Sequence, residues 1–251
     1  MPNIISLSTA LQQKLVSAKK VVVLTGAGVS QESGISTFRD KDGLWQKFKP
    51  EDLATPQAFE KNPKMVWEWY DFRRKKIQTV QPNFAHLAIS QMEKIFSEFL
   101  LVTQNVDGLH QKAGSKKILE LHGNLNRNKC FSCERIYKES DFDSKTVPPV
   151  CKCGGYLRPD VVWFGELLPE LALEQAQQAA SQAELFFSIG TSAIVYPAAS
   201  LPFLAKEKGA FVVEINTSET EISAFVDELL LGKAGVVLPV IVEFLRPKGK
   251  K

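Results

Sequence analysis

The stretch "VVVLTGAGVSQESGISTFRD" occupies residues 21–40 and combines an apolar run with a glycine loop. The apolar run is typical of a buried strand, and Gly26 and Gly28 follow it directly. A glycine turn between a strand and a helix presents backbone amides and a helix N-terminus, which together can receive a pyrophosphate. The stretch therefore predicts the first strand, loop and helix of a dinucleotide-binding fold.

The loop departs from the standard dinucleotide fingerprint in two ways. Gln31 stands where that fingerprint has a third glycine, and no acidic residue ends a second strand about 20 positions later. The two glycines alone would also fit an ordinary turn. The longer string is more specific, because the residues that follow, up to Phe38 and Arg39, are not required by turn chemistry.

Apolar runs and helical segments alternate along the rest of the chain. Further strands are predicted at 99–103, 116–121, 184–190, 210–216 and 228–232. Helical apolar spacing predicts helices within 6–20, 83–96, 171–182, 197–209 and 234–245. Strands that alternate with helices imply an α/β fold, in which helices cover both faces of a mostly parallel sheet.

The composition excludes several classes of protein. A chain of 251 residues with 44% apolar content can bury a full core. The net charge of +3 supplies no strong field for a polyanion, so we expect no direct nucleic-acid binding. The first 20 residues lack an apolar segment of signal-peptide length, and nowhere do about 18 apolar residues run together. We therefore expect a cytoplasmic protein without membrane contact, and we take it to be a monomer.

The four cysteines of the chain form two close pairs, Cys130 with Cys133 and Cys151 with Cys153. This clustering argues against scattered disulfides, and it suits tetrahedral zinc coordination, although C-x-C is tighter than the commoner C-x2-C. Four sulfur ligands leave no open position, so such a zinc would be structural. Free thiols and a nucleic-acid-binding ribbon are the alternatives, and the modest charge disfavours the ribbon.

Polar residues follow the predicted strand at 99–103. Gln104, Asn105 and Asp107 lie on the loop where open α/β sheets bind ligands, although Asn105 and Asp107 could simply cap the next helix. A general base that titrates near neutral pH has few candidates, because the chain has only three histidines. His122 follows a predicted strand and precedes a glycine, although a lone histidine is usually a structural residue.

A further pair of residues lies in "WEWYDFRRKK", residues 67–76. Tyr70 and Arg73 are three residues apart and would be neighbours on one face of a helix, where they could bind a small anion together. The alternative is that the aromatic residues are packing and that residues 73–76 form a solvated charged face.

Seven ordered motifs resemble those of the sirtuins, the NAD-dependent protein lysine deacylases. They are "GAGVSQESGISTFR", "TQNVDGLH", "HGN", the four cysteines, "RPDVVWFGE", "GTS" and "EIN", and the resemblance extends over about residues 20–240. It implies one catalytic domain over 1–251, made of a large Rossmann-like part and a smaller lobe. The smaller lobe would contain a helical part at about 38–80 and a zinc-binding insertion at about 123–160.

The resemblance also implies roles for individual residues. His122 would be the general base and Asn105 a second catalytic residue, and nicotinamide and O-acyl-ADP-ribose would be released. Val161, Trp163 and Phe164 would flank the substrate lysine, although a buried strand is nearly as good an interpretation of this segment. NAD would contact Gly26, Ala27, Gly28, Ser30, Phe38, Arg39, Trp45, Gln104, Asn105, Asp107, Gly190, Thr191, Ser192, Asn216 and Ala234.

Within the sirtuins, a Tyr-x-x-Arg pair in this region resembles the branch that removes succinyl and malonyl groups. Tyr70 and Arg73 would then bind the carboxylate of the acyl group, while weaker deacetylation remains. A general lysine deacetylase and a protein ADP-ribosyltransferase that uses the same NAD site are the enzymatic alternatives. An NAD-sensing module without catalysis is disfavoured, because sensing requires no base.

Overall fold

The computed structural model describes residues 5–35, 50–138 and 146–246, and nine strands lie within these ranges. They are β1 (Lys20–Thr25), β2 (Glu98–Thr103), β3 (Ile118–Glu120), β4 (Gly123–Cys130), β5 (Ile136–Lys138), β6 (Leu157–Val161), β7 (Leu185–Ile189), β8 (Phe211–Asn216) and β9 (Glu228–Leu231). All the strands predicted from apolar runs are present.

Six of these strands form one parallel sheet in the order β3-β2-β1-β7-β8-β9. The chain moves outward from β1 in one direction through β2 and β3, and in the other direction through β7, β8 and β9. The order reverses between β1 and β7, and ligands of open α/β sheets bind outside the carboxyl ends of the strands at such a point. The predicted α/β fold with a parallel sheet is confirmed.

Helices connect these strands and cover the sheet. They are α1 (Thr9–Ser17), α2 (Gly28–Gln31), α3 (Pro50–Leu53), α4 (Pro56–Lys61), α5 (Pro63–Thr79), α6 (Phe84–Ile95), α7 (Leu109–Lys112), α8 (Glu170–Gln182), α9 (Leu201–Glu207) and α10 (Ala234–Leu245). The segment predicted as one helix over 197–209 begins with a 3₁₀ turn at Ala198–Ser200 and continues as α9. The final predicted helix is present with Pro239 in its interior.

The core has one layer on each face of the parallel sheet. Successive residues of β1 point to opposite faces. Val21 and Val23 pack into the layer formed with α1, α6 and α10, whereas Val22 and Leu24 pack into the layer formed with α8 and α9. Both layers are closely filled with aliphatic side chains, which explains why β1 reads as a continuous apolar run.

A second sheet is antiparallel, with the order β5-β4-β6. Helices α3, α4 and α5 pack on it through a separate apolar cluster that includes Phe59, Tyr70, Leu125 and Trp163. These elements lie within the ranges predicted for the helical part and for the insertion of the smaller lobe. The division of the chain at those boundaries stays a prediction.

Arg74 corrects the interpretation of residues 73–76 as a solvated charged face. Its side chain is 4% exposed, and its guanidinium donates to the Leu125 carbonyl at 2.7 Å and to Asn128 Oδ1 at 2.6 Å. Arg74 follows Tyr70 by four residues and therefore shares the inward face of α5. The alternative interpretation as a solvated face is therefore wrong for Arg74, because it followed the charge run and ignored the helical period. Lys76, in contrast, is exposed.

Within the described ranges, every helix is too short or too polar to span a bilayer. The cytoplasmic location and the monomeric state stay predictions.

A buried ion pair supports the loop that follows β6. Arg158 is 2% exposed and binds both carboxylate oxygens of Glu166, with 2.9 Å between Nη2 and Oε2. The same Nη2 donates to the Val161 carbonyl at 2.6 Å. Burial raises the pKa of Glu166, and the hydrogen bonds from Arg158 and from the Trp163 amide more than offset that effect, so the pKa lies below its ordinary value.

We expect Glu166→Gln to lower the free energy of unfolding by about 3–5 kcal/mol, because loss of one partner leaves the buried Arg158 charge uncompensated. Glu243→Gln is the matched control. Glu243 pairs with Arg246 at 2.7 Å, but the two side chains are 70% and 60% exposed, and such pairs contribute about 0–1 kcal/mol. Chemical denaturation measures both variants, and equally small losses would contradict the expectation.

Candidate active site

The carboxyl ends of β1 and β7 meet in a backbone contact that only glycine permits. Gly26 N donates to the Ile189 carbonyl at 3.0 Å, and Gly28 N donates to the Gly190 carbonyl at 2.8 Å. A Cβ atom on either Gly26 or Gly28 would lie 2.8 Å from the Gly190 oxygen. Gly190 itself has a φ of +59°, in the left-handed region that favours glycine. The predicted glycine loop therefore lies against the loop after β7.

A cavity of about 280 Å³ opens beside this contact, at the reversal point of the sheet. Four residues predicted to contact the nucleotide line it, namely Gly28, Gly190, Asn216 and Ala234. Asn216 Nδ2 donates to the Thr191 carbonyl at 2.9 Å, which fixes the amide at the edge of the cavity. The position and the lining of the cavity suit part of a dinucleotide.

Four polar residues that line this cavity were not predicted, namely Gln31, Glu32, Thr217 and Lys233. Gln31 occupies the fingerprint position where a glycine was expected. This departure from the fingerprint was the signal in the sequence that a side chain lines the cavity. Glu32 Oε1 accepts from Gly235 N at 2.8 Å, at the start of α10. Lys233 is about 200 positions away from Glu32, and no local pattern connects them.

Behind the glycine loop lies a buried polar cluster formed by Ser30, Asn105 and Asp107. Ser30 Oγ donates to Asp107 Oδ2 at 2.7 Å. Asn105 Nδ2 donates to the Gly26 carbonyl at 3.0 Å and to Ser30 Oγ at 3.2 Å. The cluster thus joins the loop after β2 to the loop after β1.

The helix cap that the sequence offered as an alternative for Asp107 is present, and its contact with NAD stays a prediction. Its Oδ1 accepts from Leu109 N at 2.9 Å and so caps α7, while its Oδ2 binds Ser30. Burial raises the pKa of the Asp107 carboxyl, and these hydrogen bonds offset part of the increase. Asn105 makes no such cap, since its side chain is directed to Gly26 and Ser30.

Two of the three histidines are held in the interior. His86 completes a capping box with Asn83 at the start of α6, and His110 Nε2 lies 3.0 Å from Thr25 Oγ1. Burial lowers the pKa of His86 to about 4 and holds the pKa of His110 well below its usual range. Both imidazoles are therefore neutral at physiological pH and support the loops around them.

His122 is more accessible than the other two histidines, and its tautomer is fixed by a backbone contact. Its Nδ1 lies 3.0 Å from the Gln104 carbonyl oxygen, which can only accept, so Nδ1 carries the proton and Nε2 carries the lone pair. The side chain is half-buried. Burial lowers the pKa of His122, and the hydrogen bond to Gln104 opposes part of this shift. The residue is therefore a neutral imidazole at pH 7, as a general base requires.

Tyr70 and Arg73 lie together, as their helical spacing predicts. The Arg73 guanidinium carbon is 4.8 Å from the centroid of the Trp69 ring and 5.7 Å from that of the Tyr70 ring. Burial raises the pKa of Tyr70 to about 12, so the phenol keeps its proton. Burial lowers the pKa of Arg73. Among the described residues, no carboxylate lies within ion-pair distance of Arg73.

The predicted substrate segment after β6 is divided between interior and surface. Val161 and Trp163 are 5% and 2% exposed, whereas Phe164 is 59% exposed. Val162 N donates to the His122 carbonyl at 2.9 Å, which ties this segment to the candidate base. Contact of these side chains with a substrate stays a prediction. Phe38, Arg39 and Trp45 lie outside the described residues.

The four cysteine sulfurs form one compact cluster within 4.8 Å. The distance is 3.5 Å between the sulfurs of Cys130 and Cys153, and 3.7 Å between those of Cys133 and Cys151. Sulfurs about 2.3 Å from a tetrahedral zinc ion lie about 3.8 Å apart, so the cluster fits such an ion. It would hold the turn after β4 against the turn before β6, in agreement with the prediction of a structural site.

The fold and the site together define a class. The glycine loop, the cavity and the neutral histidine lie at the carboxyl end of a parallel sheet, and the cysteine cluster lies apart from them. This arrangement is typical of a dinucleotide-dependent enzyme with a structural metal site. The Sir2 family model matches residues 26–197, and the chain belongs to this family. It is an NAD-dependent protein deacylase.

Two similar proteins are described as NAD-dependent protein deacylases. One from Aquifex aeolicus is 54% identical over 229 residues, which cover 91% of this chain and 96% of that protein. One from Pyrococcus furiosus is 51% identical over 238 residues, which cover 92% and 95%.

Solved structures agree with the fold over almost the whole chain. A mutant Sir2 homologue in complex with ADP-ribose has a TM-score of 0.90 and 45% identity, covering 96% of this chain and 97% of that one. A Sir2 homologue in complex with NAD has a TM-score of 0.88 and 45% identity, covering 96% and 94%.

Metal analysis tests the cysteine cluster. We expect about one zinc ion per chain in the purified protein, and we expect Cys151→Ser to lose it, because three thiolates leave the tetrahedral site incomplete. All four cysteines of the chain belong to the cluster, so Ser132→Ala, next to Cys133, serves as the control that keeps its zinc. A full zinc content in Cys151→Ser would contradict the assignment.

Proposed function

We propose that this protein removes acyl groups from protein lysines with NAD as co-substrate, and that it favours succinyl and malonyl groups over acetyl. The observation that carries the preference is Arg73, which lies beside the protonated Tyr70 and forms no ion pair with a described residue, although the Asp107 carboxylate acts on it from a longer distance. Nicotinamide and O-acyl-ADP-ribose are the proposed products.

The nucleotide site would be formed by three loops at the reversal point of the sheet. Gly26, Ala27 and Gly28 would hold the pyrophosphate, because their backbone is open to close approach. The adenosine would lie in the cavity beside Asn216 and Ala234, with Thr191 and Ser192 on the adjoining loop. Bound NAD supplies an activated bond between its ribose and nicotinamide, and the chain's own residues position the reaction.

Gln104 would connect the nucleotide loops to the base. Its side chain donates to Thr191 Oγ1 at 3.1 Å, and its carbonyl accepts from His122. The orientation of the imidazole is therefore fixed by the same residue that contacts the loop after β7. Asn105, held by Gly26 and Ser30, presents its amide at the same end of the sheet, where charge develops during cleavage of the glycosidic bond.

His122 would act as the general base through Nε2. The proton on Nδ1 is committed to the Gln104 carbonyl, so Nε2 can accept a proton from a ribose hydroxyl. The lowered pKa keeps this nitrogen unprotonated at neutral pH. The tautomer fixed by Gln104 is therefore already the one that a base acting through Nε2 needs.

Arg73 and Tyr70 would bind the carboxylate at the far end of the acyl group. A guanidinium forms charge-assisted hydrogen bonds to a carboxylate, and a phenol that keeps its proton adds a further donor. An acetyl group offers neither oxygen, so it would gain nothing from the pair. The substrate chain itself would pair with the segment after β6, next to the exposed Phe164.

The pH profile tests His122. We expect kcat/KM to fall on the acid side as the imidazole becomes protonated, with a midpoint below the ordinary pKa of 6.5, because burial favours the neutral form. We expect the profile to be flat from that point towards pH 8. His122→Tyr should lower kcat by about 10²–10⁴-fold, the usual contribution of a general base, while titration still detects NAD binding. An acid midpoint above 7 would exclude His122 as the titrating group.

The acyl preference is tested with Arg73→Met. We expect kcat/KM for a succinyl-lysine peptide to fall by about 10- to 150-fold, the equivalent of about 1.5–3 kcal/mol for a hydrogen bond to a charged group. The acetyl version of the same peptide should lose much less. Lys76→Met is the matched control, because it removes one positive charge from the exposed side of α5.

Mass analysis of the peptide in the same assay separates the alternatives. Loss of the acyl group identifies deacylation, and gain of ADP-ribose identifies transfer to the peptide. Equal losses with both peptides in Arg73→Met would reject the anion preference and leave a general deacetylase.

A further inference from the structure

The hydroxyl of Tyr70 receives a hydrogen bond from the indole of Trp163. The distance from Trp163 Nε1 to the Tyr70 oxygen is 2.9 Å, and the two side chains are 2% and 3% exposed. They lie 93 positions apart in sequence, on the segment after β6 and on α5. Solvent therefore does not compete for this contact.

This contact determines which way the Tyr70 hydroxyl can donate. An indole N–H is a donor only, so the phenol oxygen must be the acceptor. The indole hydrogen occupies one lone pair of the phenol oxygen, so the phenolic hydrogen must point in another direction. The hydroxyl is thereby left to donate on its other side. Because the buried phenol keeps its proton, it can donate a hydrogen bond to a ligand on that side.

Trp163 is itself held by several independent contacts. The guanidinium carbon of Arg158 lies 3.2 Å from the centroid of the indole ring. The Trp163 amide donates to Glu166 Oε2 at 2.8 Å, and Phe59 packs on the ring with the centroids 5.5 Å apart. The preceding residue, Val162, is bonded to the His122 carbonyl. The indole is therefore fixed relative to the base as well as to α5.

We propose that Trp163 is a positioning residue for the anionic acyl group: its indole N–H orients the Tyr70 hydroxyl as a donor towards the carboxylate that Arg73 binds. The inference rests on the proposed function, because it requires that Tyr70 contacts the acyl group. Under this inference, Trp163 affects the selectivity for anionic acyl groups only by orienting Tyr70. The Arg158–Glu166 ion pair then serves recognition by holding the indole.

A packing role alone would have a different consequence. Trp163→Phe keeps a ring against Phe59 and Arg158 but removes the N–H donor. If the residue only fills space, its loss affects turnover of every acyl-lysine to a similar extent. If it orients Tyr70, its loss affects anionic acyl groups more, and the effect disappears when the Tyr70 hydroxyl is already absent.

A double-mutant cycle with Trp163→Phe, Tyr70→Phe and the double variant separates these roles. The quantity measured is the ratio of kcat/KM for succinyl-lysine and acetyl-lysine versions of one peptide, so a general loss of folded protein cancels. We expect Trp163→Phe to lower this ratio by about 2- to 10-fold, the range of one neutral hydrogen bond. We expect the double variant to match Tyr70→Phe to within about twofold, because coupled residues are not additive.

Trp67→Phe is the matched control. Trp67 lies on the same helix as Tyr70 and is 8% exposed, but it belongs to the cluster around Cys130 and Cys151. The Trp67→Phe variant loses an indole from the same lobe. We expect its ratio of kcat/KM for the succinyl and acetyl peptides to stay at the wild-type value. Thermal unfolding and zinc content show that each variant is folded.

Each outcome is decisive. If Tyr70→Phe lowers the ratio but Trp163→Phe does not, or if the two effects multiply in the double variant, the inference is overturned and the proposed acyl preference stands. If Tyr70→Phe leaves the ratio unchanged, the proposed preference itself fails, and the inference fails with it.

Discussion

The close crossing of two backbone loops, at Gly26 to Gly28 and at Gly190, determines where every other part of the site can lie. The 2.8 Å hydrogen bond from Gly28 to Gly190 brings the ends of β1 and β7 together at the point where the strand order reverses. A side chain on any of the three glycines would force the loops apart. The same carbonyl edge then positions Asn105, whose amide donates to Gly26. The cavity, the polar cluster and His122 lie at the same end of the sheet because the crossing is tight.

Gln104 connects this arrangement to His122, the proposed base. Its amide N–H donates to the Thr25 carbonyl at 3.0 Å, its side chain reaches Thr191, and its own carbonyl orients His122. One residue therefore contacts the ends of β1 and β7 and the imidazole. A shift of either loop would change the direction of the imidazole. The tautomer of His122 is thus fixed by the backbone at the edge of the sheet.

Local patterns in the sequence were enough to predict the strands, the parallel sheet, the cysteine cluster and the residues that follow the strand ends. Apolar runs and motif spacing report directly on such features, because they depend on neighbouring residues. Contacts between distant segments were missed. Glu32 and Lys233 share a cavity, and Trp163 donates to Tyr70, yet no local signal links either pair. Arg74 was misjudged because four consecutive basic residues suggested a surface, whereas the helical period places one of them inside.

The cysteine cluster is connected through β4 to the helix that carries Arg73. Cys130 ends β4, and Asn128, two residues earlier on the same strand, accepts from Arg74 at 2.6 Å. Arg74 anchors α5, and the next residue towards the N-terminus is Arg73. A metal that fixes the end of β4 would therefore also restrict the helix that carries Arg73, the proposed anion-binding residue. Because this lobe has a small apolar core, metal coordination and the buried Arg74 and Arg158 contacts supply rigidity that packing alone would not. A structural ion can thus support recognition without approaching the substrate.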